Sequence, residues 1–229
     1  MLKIESKDSF LVAATRFEED KFRISFLTPE HGRYTGILKT KRPPMVGSFG
    51  VARWQARLSE SLGTVYWEEG QNPLALCLHH KQRVLCLSSL CALTHALLPE
   101  RQPFPEFIPD TYTYIRNLLQ DNFLKQYILW ELSLLKATGF GLDLTRCAGG
   151  GNARDLAFIS PKSGTAVSRE KGIPYQDKLF TLPEFFWKEA SPSPADLKSG
   201  LTITGYFLKK NGLIKQLPEA RIFLQTSLA

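Results

Sequence analysis

Between His31 and Ser59 the chain carries Arg33, Lys39, Lys41, Arg42, Arg53 and Arg57 with no Asp or Glu among them. The net charge of all 229 residues is +7, so nearly the whole excess sits in this one window. Guanidinium and ammonium groups at this density do electrostatic work: they hold oxyanions, and they repel one another until an anion joins them. A phosphate backbone is the partner such a window calls for. Phe49, in the glycine-flanked stretch Gly47-Ser48-Phe49-Gly50, adds an aromatic face on which a base could stack. These seven residues are the expected nucleic-acid contacts. Taken singly, each cation is more often an ordinary solvated charge; the argument rests on the window as a whole.

Other chemistries are poorly supplied. The four histidines, His31, His79, His80 and His95, stand in no nucleophile or acid–base motif, and the acidic residues form no D-x-D pair. Gly149-Gly150-Gly151 lacks the following Lys-Ser/Thr of a phosphate-binding P-loop. No catalytic residue and no enzyme activity are expected. Cys91 and His95 have the i, i+4 spacing of two ligands on one helix face, yet no second close pair completes a four-ligand set. No metal and no other cofactor are therefore expected. With Cys77, Cys86 and Cys147 also outside any C-x-x-C pair, the cysteines read as buried free thiols of a cytoplasmic protein. The longest apolar stretch, Val84 to Leu98, is interrupted by Ser88, Ser89, Thr94 and His95 and is shorter than the ~20 residues of a membrane span. No export signal is visible at the start.

A second cluster lies further on. Tyr112, Tyr114, Tyr127 and Trp130 accompany Arg116 and Lys125. Aromatics at helical spacing are usually core. Where one is exposed beside a cation, it could receive a short peptide ending in an acidic and hydrophobic tail. Arg116, Lys125 and Tyr127 are the residues named for that role.

The elements that must position these groups change character along the chain. Phe10 to Phe17, Phe22 to Thr28, Arg33 to Lys39, Val51 to Leu58 and Gly63 to Glu68 read as five short strands. In the fourth, Ala52, Trp54, Ala56 and Leu58 are expected to face the core, and Arg53, Gln55 and Arg57 the other way. Lys41-Arg42-Pro43-Pro44 must be a loop. Five strands in about seventy residues suit an OB-type five-stranded barrel; an SH3-like barrel has a similar strand count. From Pro73 the period becomes helical, over 74–98, from Pro109 to about Gln120, from Asn122 to Thr138, from Ser193 and from Leu217. The expected class is α+β: an N-terminal barrel over 1–72 and a mostly helical domain over 73–229, with an irregular, loop-rich insertion at about 140–180.

The stretch from Trp130 to Gly149 contains Glu131-Leu-Ser-Leu-Leu-Lys-Ala-Thr-Gly-Phe-Gly141 followed by Cys147-Ala148. It resembles the middle of the bacterial RecO recombination-mediator family. Phe26-Leu-Thr-Pro-Glu-His-Gly-Arg33 resembles that family's N-terminal turn. Arg53 to Arg57, Leu62 to Thr64, Ser160 to Gly164 and Ala166 to Arg169 are similar to its alphaproteobacterial branch. The similarity runs from about residue 9 to 210. It implies an OB-type barrel followed by helices, binding of single- and double-stranded DNA, and annealing of complementary strands. It further implies recognition of the acidic C-terminal tail of single-strand DNA-binding protein and, with RecR, help in loading RecA. Many relatives hold zinc with two cysteine pairs. This chain keeps Cys147 but has Gly150 where the second cysteine would stand and no cysteine after it, so the zinc site is expected to be lost. Rival readings are an adaptor whose barrel binds an acidic protein, and an RNA-binding barrel.

Overall fold

A computed structural model describes residues 1–58 and 61–228; the end of the acid-free window at Ser59 lies outside the described residues. Five strands, β1 (Leu2–Glu18), β2 (Lys21–Thr28), β3 (Gly32–Lys39), β4 (Phe49–Ala56) and β5 (Thr64–Glu69), close into a barrel in the order β1-β2-β3-β5-β4. All neighbours are antiparallel except β3 and β5, which pair in parallel at Ile37–Thr64 and Leu38–Val65. Alternation decides what fills the interior. Phe22, Ile24 and Phe26 of β2 meet Leu38, Ala52, Trp54, Ala56 and Val65 in one core. Trp54 can be buried because its indole N–H donates to the carbonyls of Thr35 and Leu62, both at 3.0 Å.

Two strand expectations need correction. The first strand begins at Leu2 and not at Phe10, and its first half pairs with β4 while its second half pairs with β2. Register shifts between Ser6 and Ser9 and between Leu11 and Ala13 bend it enough to serve both neighbours. Leu58, expected inward, lies beyond the end of β4 and is 70% exposed, because the ladder that enforces alternation stops at Ala56.

The helical segment that follows consists of α1 (Pro73–Cys77), α2 (Lys81–Leu97) and α3 (Phe107–Arg116). The single helix expected over 74–98 is two, because His80 is extended and starts the second. Tyr112 of α3 donates from its hydroxyl to the carbonyls of Asp8 and Leu27, at 2.7 and 2.9 Å. Such bonds explain why the chain divides into compact units at Met1–Gln120 and Asp121–Ala229. The boundary expected at 72/73 is displaced: residues 73–120 belong with the barrel.

The second unit holds α4 (Phe123–Ala137), β6 (Leu156–Ile159), β7 (Ala166–Ser168), α5 (Arg169–Gly172), β8 (Phe180–Thr181), α6 (Pro194–Lys210) and α7 (Glu219–Thr226). The start of α6 is the one its sequence announces: Ser193 and Asp196 form a reciprocal capping box with Pro194 at the first helical position. The insertion at 140–180 is more regular than expected. It contains a three-stranded sheet in the order β7-β6-β8, whose strands are too short for alternation to show. Among the described residues no helix is long and apolar enough to cross a membrane.

The core of this unit encloses an ion pair. Arg221 of α7 meets Glu131 of α4 through Nε at 2.6 Å and Nη2 at 3.1 Å, and both side chains are fully buried. The Tyr127 hydroxyl donates to the same carboxylate at 2.8 Å, Thr204 also donates to it, and Arg221 Nη2 donates to the Leu201 carbonyl at 2.6 Å. Removing one charge from such a pair leaves the other desolvated and uncompensated. Glu131→Gln is expected to lower unfolding free energy by about 3–5 kcal/mol, seen as a lower urea midpoint; an unchanged midpoint would contradict this account of the core.

Candidate nucleic-acid interface

The acid-free window does not stay acid-free in space. Lys39 Nζ lies 3.5 Å from Asp20 and Arg53 Nε 3.1 Å from Glu5, both acids coming from strands or turns earlier in the chain. Arg33 is paired with Glu100 at 3.3 Å. Lys41, Arg42 and Arg57 are exposed and have no acidic partner among the described residues. Half of the six cations therefore start from a neutralised pair.

Arg33 is a correction to the expected interface. It is 8% exposed, and its guanidinium donates to the Leu98 carbonyl at 2.8 Å and to the hydroxyls of Ser25 at 2.9 Å and Thr35 at 3.2 Å. Burial pulls its pKa down and Glu100 partly restores it. It anchors the segment after α2 onto the outer side of β2 and β3, and it is not available to a phosphate. Phe49 is a second correction. It opens β4 with its ring 8% exposed, packed 5.0 Å from Phe10 and 5.5 Å from Tyr112 between centroids. It is core, and no base can stack on it.

The open part of the sheet lies on β1, β4 and β5. Register places Glu5, Arg53 and Tyr66 in one outward row and Lys3, Gln55 and Thr64 in the next. All six are exposed, and they line a depression of about 720 Å³. The Arg53 guanidinium lies 5.2 Å from the centroid of the Tyr66 ring, and Tyr66 is itself 51% exposed. Sequence reasoning passed over Tyr66. Its outward position could be had from the alternation around Val65, but its place beside Arg53 depends on strand register, which no local pattern carries.

Of the residues named for a peptide, Tyr127 is in the core and the two cations are ion-paired. Tyr127 is fully buried and engaged with Glu131. The Lys125 side chain is 11% exposed with Nζ 2.7 Å from Glu189. Arg116 belongs to the first unit, where it pairs with Asp8 and covers the rings of Phe49 and Tyr112. The helical spacing of these aromatics reflects core packing.

Comparison with known proteins bears on the same chain. The model described as "Recombination protein O C terminal" matches residues 80–217. The DNA repair protein RecO of Cereibacter sphaeroides is 36% identical over 231 residues, covering 96% of this chain and 95% of that protein. The chain belongs to the RecO family. The DNA repair protein RecO of Rhodospirillum rubrum is 36% identical over 237 residues, with 95% of this chain and 94% of that protein covered. That of Methylocella silvestris is 33% identical over 231 residues, with 95% and 93% covered. The likeness to alphaproteobacterial members, carried by residues from both ends of the sequence, is thus shown along nearly its whole length.

The zinc that many family members hold does not fit the residues here. Among the described residues no three His, Cys, Asp or Glu side chains converge on a point where a metal could sit. Cys147 Sγ instead accepts a hydrogen bond from the Ser168 N–H at 3.2 Å and lies 3.4 Å from the Ser168 hydroxyl. Burial pushes this thiol up, but the hydrogen bonds from Ser168 and from the backbone N–H groups of Gly149 and Gly151 outweigh it and bring the pKa down to about 7. At Cys91 burial outweighs a single backbone hydrogen bond and pushes the thiol up to about 12. Since the thiolate is the nucleophile, alkylation of Cys147 by iodoacetamide should rise with pH through a midpoint near 7, about tenfold faster at pH 8 than at pH 6. Ser168→Ala should move that midpoint upward, and Cys91 should stay unlabelled in the native protein. Peptide mass spectrometry of the labelled protein reads all three; a Cys147 profile that rises only above pH 8.5 would refute the hydrogen-bonded thiolate.

Proposed function

We propose that this chain is a non-enzymatic DNA repair and recombination mediator. Its barrel, with the single parallel closure between β3 and β5, is read as the OB class. It binds single- and double-stranded DNA through the exposed cations of the first unit and anneals complementary strands. The observation that carries this reading is the similarity to DNA repair proteins over nearly the full chain. Lys41, Arg42 and Arg57, exposed and free of acidic partners among the described residues, support it.

The physical task in annealing is to bring two polyanions together while leaving base edges accessible. Cations on a barrel surface neutralise part of the phosphate charge and release condensed counterions. They need not read sequence, because phosphate contacts position a strand without specifying it. Lys39 and Arg53 join the contact by exchanging Asp20 and Glu5 for phosphate. Such exposed pairs contribute little in water, so the exchange costs little. In the cell the strands arrive coated with single-strand DNA-binding protein. Its acidic C-terminal tail, RecR and, through RecR, RecA are the proposed partners.

Arg53→Ala/Arg57→Ala is expected to weaken binding of a fluorescent single-stranded oligonucleotide at low salt. It should also reduce the magnitude of the slope of log affinity against log salt by about 1.4, from roughly 0.7 per lost phosphate contact. Unchanged affinity and slope would remove this face from the interface. An annealing assay on strands coated with single-strand DNA-binding protein should slow when free tail peptide is added in excess. Annealing insensitive to the peptide would remove the tail from the list of partners.

A further inference from the structure

We propose that the outward face of β1, β4 and β5 contains a nucleobase subsite. In it Tyr66 is the stacking platform, Arg53 the adjoining phosphate contact, and Glu5 the group that limits how much of the Arg53 charge a strand can use. The inference rests on the DNA-binding reading above and assigns its surface and residues.

The first argument is one of access. The Gly32–Arg33 end of β3 is covered on its outer side by the chain after α2. The Arg101 N–H donates to the Arg33 carbonyl at 2.7 Å, Arg33 donates to the Leu98 carbonyl, and a Cβ on Gly32 would stand 2.0 Å from the Gln102 carbonyl oxygen. That end of β3 is closed to a base, and Phe49, packed in the core at the start of β4, offers no ring face either. The aromatic that β5 turns outward is Tyr66, half exposed on a rigid strand inside the depression of about 720 Å³. An exposed tyrosine on a paired strand presents its ring at little conformational cost, and any base can stack on it.

The second argument is one of polarity. Along β4 the outward residues run Val51, Arg53, Gln55, and the β5 residues opposite them are Glu68, Tyr66 and Thr64. Lys3 borders the Gln55 end and Glu68 the other. A phosphate backbone is therefore drawn to the Lys3 side and repelled from Glu68, which places its base over Tyr66. Gln55 and Thr64 offer donors and acceptors beside it, too few to impose a sequence.

Glu5 completes the device. It holds Arg53 at 3.1 Å, and both side chains are more than half exposed. A phosphate must displace this carboxylate or share the guanidinium with it. Removing the carboxylate charge thus frees the cation and lifts a repulsion at once, so an acidic-to-neutral change on the surface should strengthen binding.

The test uses the full chain and a fluorescent single-stranded oligonucleotide. Tyr66→Ala should bind about tenfold more weakly, with an unchanged salt slope because no phosphate contact is lost. Tyr66→Phe should retain affinity within about twofold, since the ring is kept. Glu5→Gln should bind about two- to fivefold more tightly at low salt and lose that advantage as salt screens it. Urea midpoints of the three variants, all altered at exposed positions, identify any that fail to fold. Wild-type affinity in Tyr66→Ala, or no gain in Glu5→Gln, overturns the subsite while wild-type binding stands. Absence of salt-dependent binding by the wild-type protein overturns the DNA-binding reading itself.

Discussion

The buried Arg33 guanidinium decides which side of the barrel remains open. A charged side chain at 8% exposure is tolerated only when its donors are satisfied. Arg33 meets this condition by spanning three pieces of chain: the hydroxyls of β2 and β3, the carbonyl of Leu98, and the carboxylate of Glu100. The residues from Leu98 to Gln102 are consequently fastened to β3, and Gly32, at φ +81° and with no room for a Cβ, admits the closest approach. The Arg33 end of β3 is thereby closed to a partner. The outward rows of β1, β4 and β5 stay open, as do the exposed Lys39, Lys41 and Arg42, so a residue that resembles a ligand contact in sequence instead closes part of the surface.

The same geometry revises the meaning of the acid-free window. Closing a barrel brings together strands distant in sequence: here Glu5 and Asp20 reach Arg53 and Lys39, and the segment after α2 brings Glu100 to Arg33. Concentrated positive charge would destabilise the barrel through self-repulsion. Distributing acids from flanking strands relieves it, while the exposed pairs stay weak enough to yield to a phosphate. For a protein proposed to anneal strands this is a useful compromise. Binding strong enough to gather DNA but easily exchanged lets the product duplex leave.

The parts of the fold legible in sequence were those with a strong local period. β4 alternates because its inward row is packed and its outward row is wet, and the capping box at Ser193 is a short-range signal. Other features depend on long-range pairing. The first half of β1, with Lys3, Glu5 and Lys7 among its residues, has little β character of its own and is a strand because β4 and the bulges make it one. Residues 73–120 look like the beginning of a helical domain, yet Tyr112 and the segment carrying Glu100 bind them to the barrel. Phe49 resembled a loop aromatic because glycines flank it, and only the positions of Phe10 and Tyr112 reveal it as core. Tyr66 had the opposite fate: its exposure follows from alternation, but its partnership with Arg53 follows from a register that sequence does not display.

The loop after Cys147 is closed by hydrogen bonds that converge on one sulfur. The backbone N–H groups of Ser168, Gly149 and Gly151 supply them. Gly151 is required for that closure, since a Cβ there would lie 2.2 Å from the Ser168 hydroxyl. Hydrogen bonds to a sulfur are individually weak, but several aimed at one atom favour its anionic form, and the charge strengthens each of them in turn. The loop is thus closed by a pattern of donors aimed at a single sulfur.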